Sequence, residues 1–511
     1  PVALTANRWT FDPSGRDTPL FMPAFRPEQP CAARHEWDVV GPIRCRLLGH
    51  AEYLIDDAVL AAMAGLDAPA LAELTTMKGL RFRDEVRLRA TFAASPESAD
   101  LLDNTDFHIL LAAALTDDSA KATLVRDARA FMLAITDADG QLPAERMVAG
   151  NLSTWTLTTL PGKTVVVDPV RGRFWFPGAV PEDLVVPHYH YGFTGDIGAG
   201  TYDRRRSLLP PTGSYSAGTF TDPALNGVYT FADSATYLVE DVTFSTSLTL
   251  QAASLERPYL RVHATEENHN WTFTPAGDDA ELTLEGLWYG GGKLILHGNF
   301  KKVTIRHCTL DPGGAKANAA PLGPAAIVVE HGTVAELIVE SSIIAGISLG
   351  TDGAVVALKM SDTIVDASDP ALTITLPGAE LTLARCTLTM PVNALRITAT
   401  EVLAQEPITV VDHQNGCVRF SILAPLSHTP PIYRGELATV ENYWFTSRRF
   451  GDPGYYALSE NAPASVTRGA ENGSEIGAFS SLIDPLKHDS LRTKVHEFMP
   501  LGRLPAFVRE T

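Results

Sequence analysis

The sequence predicts a mainly β chain organised around a parallel β-solenoid, with a small α+β domain before it and a loop-rich cap after it. Two observations carry this. A short phrase recurs as Cys308-Thr309-Leu310, Ser341-Ser342-Ile343, Asp362-Thr363-Ile364 and Cys386-Thr387-Leu388, each copy following an alternating apolar segment such as Val303-Thr304-Ile305 or Leu381-Thr382-Leu383. The copies are also evenly spaced. Their first residues step by 33, 21 and 24, and without the Gly/Ala/Pro-rich insertion Asp311 to Pro324, 14 residues long, the first step falls to 19. A period of roughly 20 to 25 residues built from short strands is what one coil of a solenoid requires.

In chain order, residues 1–34 are Pro-rich and polar, with Phe21-Met22-Pro23 and Phe25-Arg26-Pro27, and read as an extended arm. Residues 35–149 read as the α+β domain. Leu80-Arg81-Phe82-Arg83 and Val86 to Phe92 alternate as strands, and helices are expected from Pro96 to Leu115, with Ser95 as N-cap, and from Asp118 to Ile135. Residues 150–232 form a β-rich connection with strands at Thr164 to Asp168, Arg173 to Phe176 and Leu184 to Phe193, separated by Pro161-Gly162, Pro169 and Pro177-Gly178. The glycine-dense stretch Gly192 to Asp203 is followed by Pro210-Pro211 rather than a helix, which argues against a phosphate loop; glycines that let the backbone pass close to another strand or subunit explain it. The parallel β-helix is placed at 233–425. Residues 426–511 are expected to cap its last apolar coil, with a helix beginning near Leu482 or Ser490 and ending at Met499.

Composition narrows the function classes. The chain has 511 residues, 41 Lys and Arg against 60 Asp and Glu, and a net charge of −19, which argues against wrapping nucleic acid over a large surface. Five cysteines without a CxxC pair suggest neither a disulfide framework nor a zinc knuckle. No run of 18 apolar residues predicts a membrane span. No cleaved signal is recognised, so synthesis in the cytoplasm is expected, with a virion-like or extracellular particle as a final location.

The repeat also bears on chemistry. Strand parity puts the first and third residues of each triplet on one face, the inner one, and Thr309, Ser342, Thr363 and Thr387 on the other. A glycan-cleaving solenoid needs two carboxylates about 5 to 10 Å apart. The nearest set is Asp311, Asp362 and Asp366, although ladder carboxylates bonded to turn amides explain the same residues. His188 and His190 stand two apart on one strand and would serve as metal ligands if a third donor joined them. A packed sheet explains them without a metal, and no cofactor motif occurs. His307 beside Cys308 looks like a base and its nucleophile, but adjacent strand residues diverge.

A family resemblance enters through Val167-Asp168-Pro169-Val170-Arg171-Gly172-Arg173, Tyr191-Gly192-Phe193 through Tyr202-Asp203-Arg204, Gly416-Cys417-Val418-Arg419-Phe420-Ser421, Phe445 to Tyr455 and Gly469-Ala470-Glu471 through Phe479. These stretches resemble a group of bacterial right-handed β-helix, pectin-lyase-like proteins encoded near phage-tail-like or contractile-injection components. The resemblance implies a right-handed parallel β-helix and a structural or adhesive, non-enzymatic role in a tail-like assembly. It also implies other subunits as partners, homo-oligomers by analogy with trimeric tail spikes, and a glycan as a conceivable ligand. The group supplies no catalytic residues. The alternative expectation is a polysaccharide lyase or glycoside hydrolase using Asp311, Asp362 and Asp366.

Overall fold

The computed structural model describes residues 1–22, 41–43, 133–137, 140–141, 147–155, 165–181, 184–193, 195–221, 226–264 and 266–497. Two compact units emerge, Pro1–Gly192 and Phe193–Arg509.

In the first unit a five-stranded sheet runs in the order Val2–Thr5, Arg8–Thr10, Arg173–Trp175, Val165–Asp168, Met147–Ala149. The first ten residues are therefore paired within their own unit rather than held out as an arm. Their alternation, with Trp9 against Phe174 and Phe11 buried on Phe174, is enough to build a sheet edge. The turn between Val165–Asp168 and Arg173–Trp175 is organised by Asp168, which is fully buried. Its carboxylate accepts N–H bonds from Leu152, Val170 and Arg171. Leu133–Asp137 is a strand paired with Val185–Tyr189, where a helix ending at Ile135 was expected; Ile135 is buried in the core of this unit and tertiary packing overrides the local helical pattern. Most of the expected α+β domain, including its arginine-lined strands and the helix from Pro96, lies outside the described residues.

The second unit is built on one large parallel sheet wound on itself. Its parallel strands run from Gly213–Tyr215 to Glu436–Leu437, beyond the 233–425 span read from the repeat. Each coil contributes a strand to face A, then face B, then face C. One complete coil is Glu281–Glu285 (A), Trp288–Tyr289 (B) and Leu294–His297 (C), and these pair with Phe300–Arg306, Thr309–Leu310 and Ile327–Glu330 of the next coil. Inward-facing residues stack in columns, such as Leu282, Val303, Leu337, Leu358, Leu381 and Ile397 on face A, all buried. Burying such columns while every interior strand finds a partner above and below holds the coil together.

At the corner between faces A and B one residue per coil has a positive φ: Gly286, His307, Ser341, Asp362, Arg385, Glu401, Phe420 and Arg434. Left-handed backbone costs a non-glycine residue about 1 to 2 kcal/mol, and it persists here because the strands on either side fix it. The register also corrects the triplet parity. Cys308 aligns with Ser342, Thr363 and Cys386, while Thr309 aligns with Ile343, Ile364 and Thr387. Two of the four copies are thus shifted by one residue. Ser341 and Asp362 are corner residues, and the small inner ladder is Cys308, Ser342, Thr363, Cys386 and Ser421, all buried. Ser342, Thr363 and Ser421 each donate a hydroxyl to the carbonyl two residues back.

The C-terminal region also departs from expectation. Rather than closing the last coil, residues around 440–482 lie along the outside of face B. There Trp444, Phe445, Phe450, Tyr455, Tyr456, Ile476 and Phe479 pack on Tyr259, Trp288, Ile343, Ile364, Leu403 and Ile422. The outward column of face B is apolar at most coils and needs a cover, whereas the end coil needs only edge protection. The helix expected near the C-terminus runs over Asp484–His496. Among the described residues no helix is long and apolar enough to cross a membrane.

Candidate functional site

The three carboxylates singled out in the sequence are all engaged in holding the fold. Asp311, 2% exposed, accepts the indole N–H of Trp288 at 3.1 Å and the amide of Gly313 at 2.8 Å, so it opens the inserted loop in the way an Asx turn does. Asp362 sits at the A–B corner and takes both prongs of the Arg385 guanidinium, at 2.7 and 2.8 Å, from the matching corner one coil later. Asp366 accepts hydroxyls from Tyr455 at 2.6 Å, Tyr456 at 3.0 Å and Thr389 at 2.9 Å, fastening the C-terminal cover to the coil. The pairing of Leu310's neighbour Thr309 with Ile343, and of Ile344 with Val365, sets Asp311 and Asp366 in one column with Ala345 between them. Two rungs of about 4.8 Å separate them. Asp362 lies at another corner and belongs to neither.

Nucleophilic chemistry at the triplets is likewise closed off. Burial pushes the thiols of Cys308 and Cys386 up to about 12. The His307 ring packs edge-on to Tyr202. Because the Tyr202 hydroxyl donates to the Gly198 carbonyl, the neutral His307 ring donates Nδ1–H to the Tyr202 oxygen at 3.1 Å. His188 lies in Val185–Tyr189, and His190 follows it with its carbonyl accepting the Phe21 amide at 2.7 Å. His190 is in neither of the two histidine–carboxylate clusters found among the described residues, and the His188 side chain lies outside those described.

The face B cover contains a pairing that composition and periodicity did not reveal. Asp196-Ile197-Gly198-Ala199 and Glu475-Ile476-Gly477-Ala478 dock in the same way. The Gly198 amide donates to the carbonyl of the corner residue Ser341, and the Ala199 amide donates to Thr309 Oγ1. The Gly477 amide donates to the corner carbonyl of Glu401, and the Ala478 amide to Thr387 Oγ1. Both glycines have positive φ, +84° and +116°, and both lie over a threonine and the aliphatic residue of the next coil, Ile343 or Leu403. Ile197 and Ile476 are buried beside them. The glycine-dense segment therefore does let backbone pass close to a strand. The four-residue match of acidic-Ile-Gly-Ala, 279 residues apart (475 − 196), is the sequence signal that would have found it.

A β-carbon on Gly198 would lie 2.7 Å from Thr309 Oγ1, and one on Gly477 would lie 2.8 Å from Thr387 Oγ1. With the unfavourable φ costing about 1 to 3 kcal/mol, Gly477→Val is expected to raise local opening of the C-terminal cover by about tenfold or more, 1.4 kcal/mol being a factor of ten. Hydrogen exchange at the Ala478 amide measures this; unchanged protection there would contradict the docking role.

Charge is concentrated under the first of these straps. Arg204 is 2% exposed and lies over Gly286, donating to the carbonyls of Gly200, Ala253 and Glu256. Glu285, also 2% exposed, faces Arg306 at 3.5 Å and accepts the Ser207 hydroxyl at 2.6 Å. Burial raises its carboxyl above the ordinary range despite these partners. Compared with known proteins, the chain matches no family model and no curated protein.

Proposed function

We propose that this chain is a non-enzymatic structural or adhesive component of a phage-tail-like, contractile-injection-type assembly, with a right-handed parallel β-helix as its rigid scaffold or binding surface. The carrying observation is where the polar and apolar groups are used. Each candidate carboxylate is bonded into the fold, one lateral face is sealed by its own chain, and among the described residues no further strand pairs with the last rung. Ile432–Tyr433 and Glu436–Leu437 form the final rung, where Tyr433 and Leu437 are 57% and 51% exposed, and Leu426 in the turn before it is 80% exposed. An apolar sheet edge of this kind is a template for strand addition by another subunit. The sequence resemblance supplies the kind of assembly, and by the same analogy the chain forms homo-oligomers.

The competing reading, a polysaccharide lyase or glycoside hydrolase, draws on the single column shared by Asp311 and Asp366. Their saturation by Trp288, Gly313, Tyr455, Tyr456 and Thr389 opposes it. The test is association state by light scattering, with and without candidate tail subunits, for the wild type and Leu437→Lys. Self-association or subunit binding that the lysine weakens about tenfold or more is expected, as a charge on an edge strand blocks pairing. A chain that stays monomeric at high concentration and binds no tail subunit overturns the proposal. New reducing ends or unsaturated products from a polysaccharide panel, lost in Asp366→Asn, would establish the enzyme instead.

A further inference from the structure

We propose that His297, Glu330 and His331 form a binding site for a divalent transition-metal ion on the outside of the β-helix, at the corner between faces C and A. His297 and Glu330 are register partners on adjacent coils, the last residues of Leu294–His297 and Ile327–Glu330. The parallel ladder therefore fixes their spacing independently of any ligand. His331 follows at the corner with φ +52°, its amide held by the Thr351 carbonyl at 2.7 Å, and its ring centroid is 5.0 Å from that of His297. One donor atom from each of the three residues lies within 4.8 Å of the others.

Magnitudes favour this cluster. A tetrahedral ion with bonds of about 2.0 to 2.1 Å wants donors about 3.4 Å apart. His297 Nδ1 and Glu330 Oε1 are already 3.5 Å apart, and rotation of the exposed His331 side chain covers the remainder. The residue one coil further on is Gly350, where a β-carbon would come within 3.1 Å of Glu330 Oε2, so the missing side chain leaves the carboxylate room. The side chains of His297 and Glu330 are 40% and 31% exposed, which gives an ion access and leaves positions for water. Two imidazoles and one carboxylate select zinc, nickel or cobalt over magnesium or calcium, which prefer an all-oxygen shell. Donors carried on strands are also placed more rigidly than donors on loops.

The other cluster, His263, Glu266 and His269, provides an internal contrast. There His263 Nδ1 accepts the Glu266 amide at 2.9 Å, and His269 Nε2 is paired with Glu266 Oε2 at 3.1 Å. All three residues sit on the loop between Tyr259–Arg261 and Trp271–Pro275, with no ladder fixing their spacing.

The experiment is a titration of the whole chain with zinc against a chromophoric chelator, repeated with magnesium. The variants are His297→Gln, Glu330→Gln, His331→Asn, which tolerates the left-handed corner, and His263→Gln. Removing an outer-sphere partner alone costs 10- to 100-fold, so each of the first three is expected to weaken zinc binding by at least about tenfold, with His263→Gln and magnesium without effect. Cobalt absorption that is present in the wild type and lost in His297→Gln is the second readout. No zinc binding at micromolar free metal, or affinity that falls with His263→Gln and holds with His297→Gln, overturns the proposal.

Discussion

Arg204→Met is expected to destabilise the second unit by about 3 to 5 kcal/mol, the range for deleting one member of a buried charged network. The loss has several parts. The guanidinium donates to three carbonyls, those of Gly200, Ala253 and Glu256, and all three lose it at once, Ala253 alone keeping the Glu256 amide at 3.1 Å. Glu285, whose carboxyl burial already raises, keeps Arg306 at 3.5 Å but loses the attraction of the second cation. The hydrocarbon of methionine refills much of the volume above Gly286, so the deficit is electrostatic rather than a cavity. Arg204→Lys separates charge from geometry, because a single ammonium cannot fork across three carbonyls. It should fall between the wild type and the methionine variant. Urea unfolding followed by tryptophan fluorescence measures the series, and a methionine variant within about 1 kcal/mol of wild type would show that water replaces the guanidinium.

The repeat made the solenoid legible because a coil must return to the same face at a fixed period, and alternation within each strand survives in the side chains. The register was not legible to one residue, since Cys308, Ser342, Thr363 and Cys386 are all small enough for the inner corner and nothing in their chemistry says which triplet position turns it. Backbone φ decides that, and a histidine, a serine, an aspartate and an arginine occupy equivalent left-handed positions. Local pattern has no marker for such a mixture. The use of Asp311, Asp362 and Asp366 was hidden for a different reason. Their partners, Trp288, Arg385 and the Tyr455-Tyr456 pair, lie 23 to 90 residues away. The cover over face B was read as an end cap because sequence shows that an apolar surface needs covering but not which one. The acidic-Ile-Gly-Ala match held that information, and only the threonine hydroxyls it docks on give it meaning.

Lowering the pH from 6.5 to 4 is expected to remove on the order of 3 kcal/mol of stability through His307 alone. Burial holds the His307 ring down at about 4 instead of 6.5, and the cations of Arg204 and Arg306 push the same way; the Asp196 backbone and the Asp362 carboxylate oppose them more weakly. The sign follows from which state takes the proton first. Above pH 6.5 the ring is neutral in both states and the folded preference for neutrality is fully present. As the pH falls below 6.5 the unfolded chain binds the proton and the folded chain does not, so unfolding gains until the folded ring protonates near pH 4. The variant His307→Asn keeps a side chain that accepts the left-handed corner and still offers an N–H toward Tyr202, but it has nothing to titrate. Its stability relative to wild type should therefore rise as the pH drops from 7 to 4.5, whatever the other histidines and carboxylates contribute to both. Parallel stability differences across that interval would place the titration elsewhere. A protonated His307 would add a third cation beside Arg204 and Arg306, directly beneath the Gly198-Ala199 strap. The protection of the Ala199 amide, taken against its intrinsic exchange rate at each pH, should accordingly fall in acid before that of Ala478 does, since no histidine occupies the corresponding corner, Arg385, under the second strap.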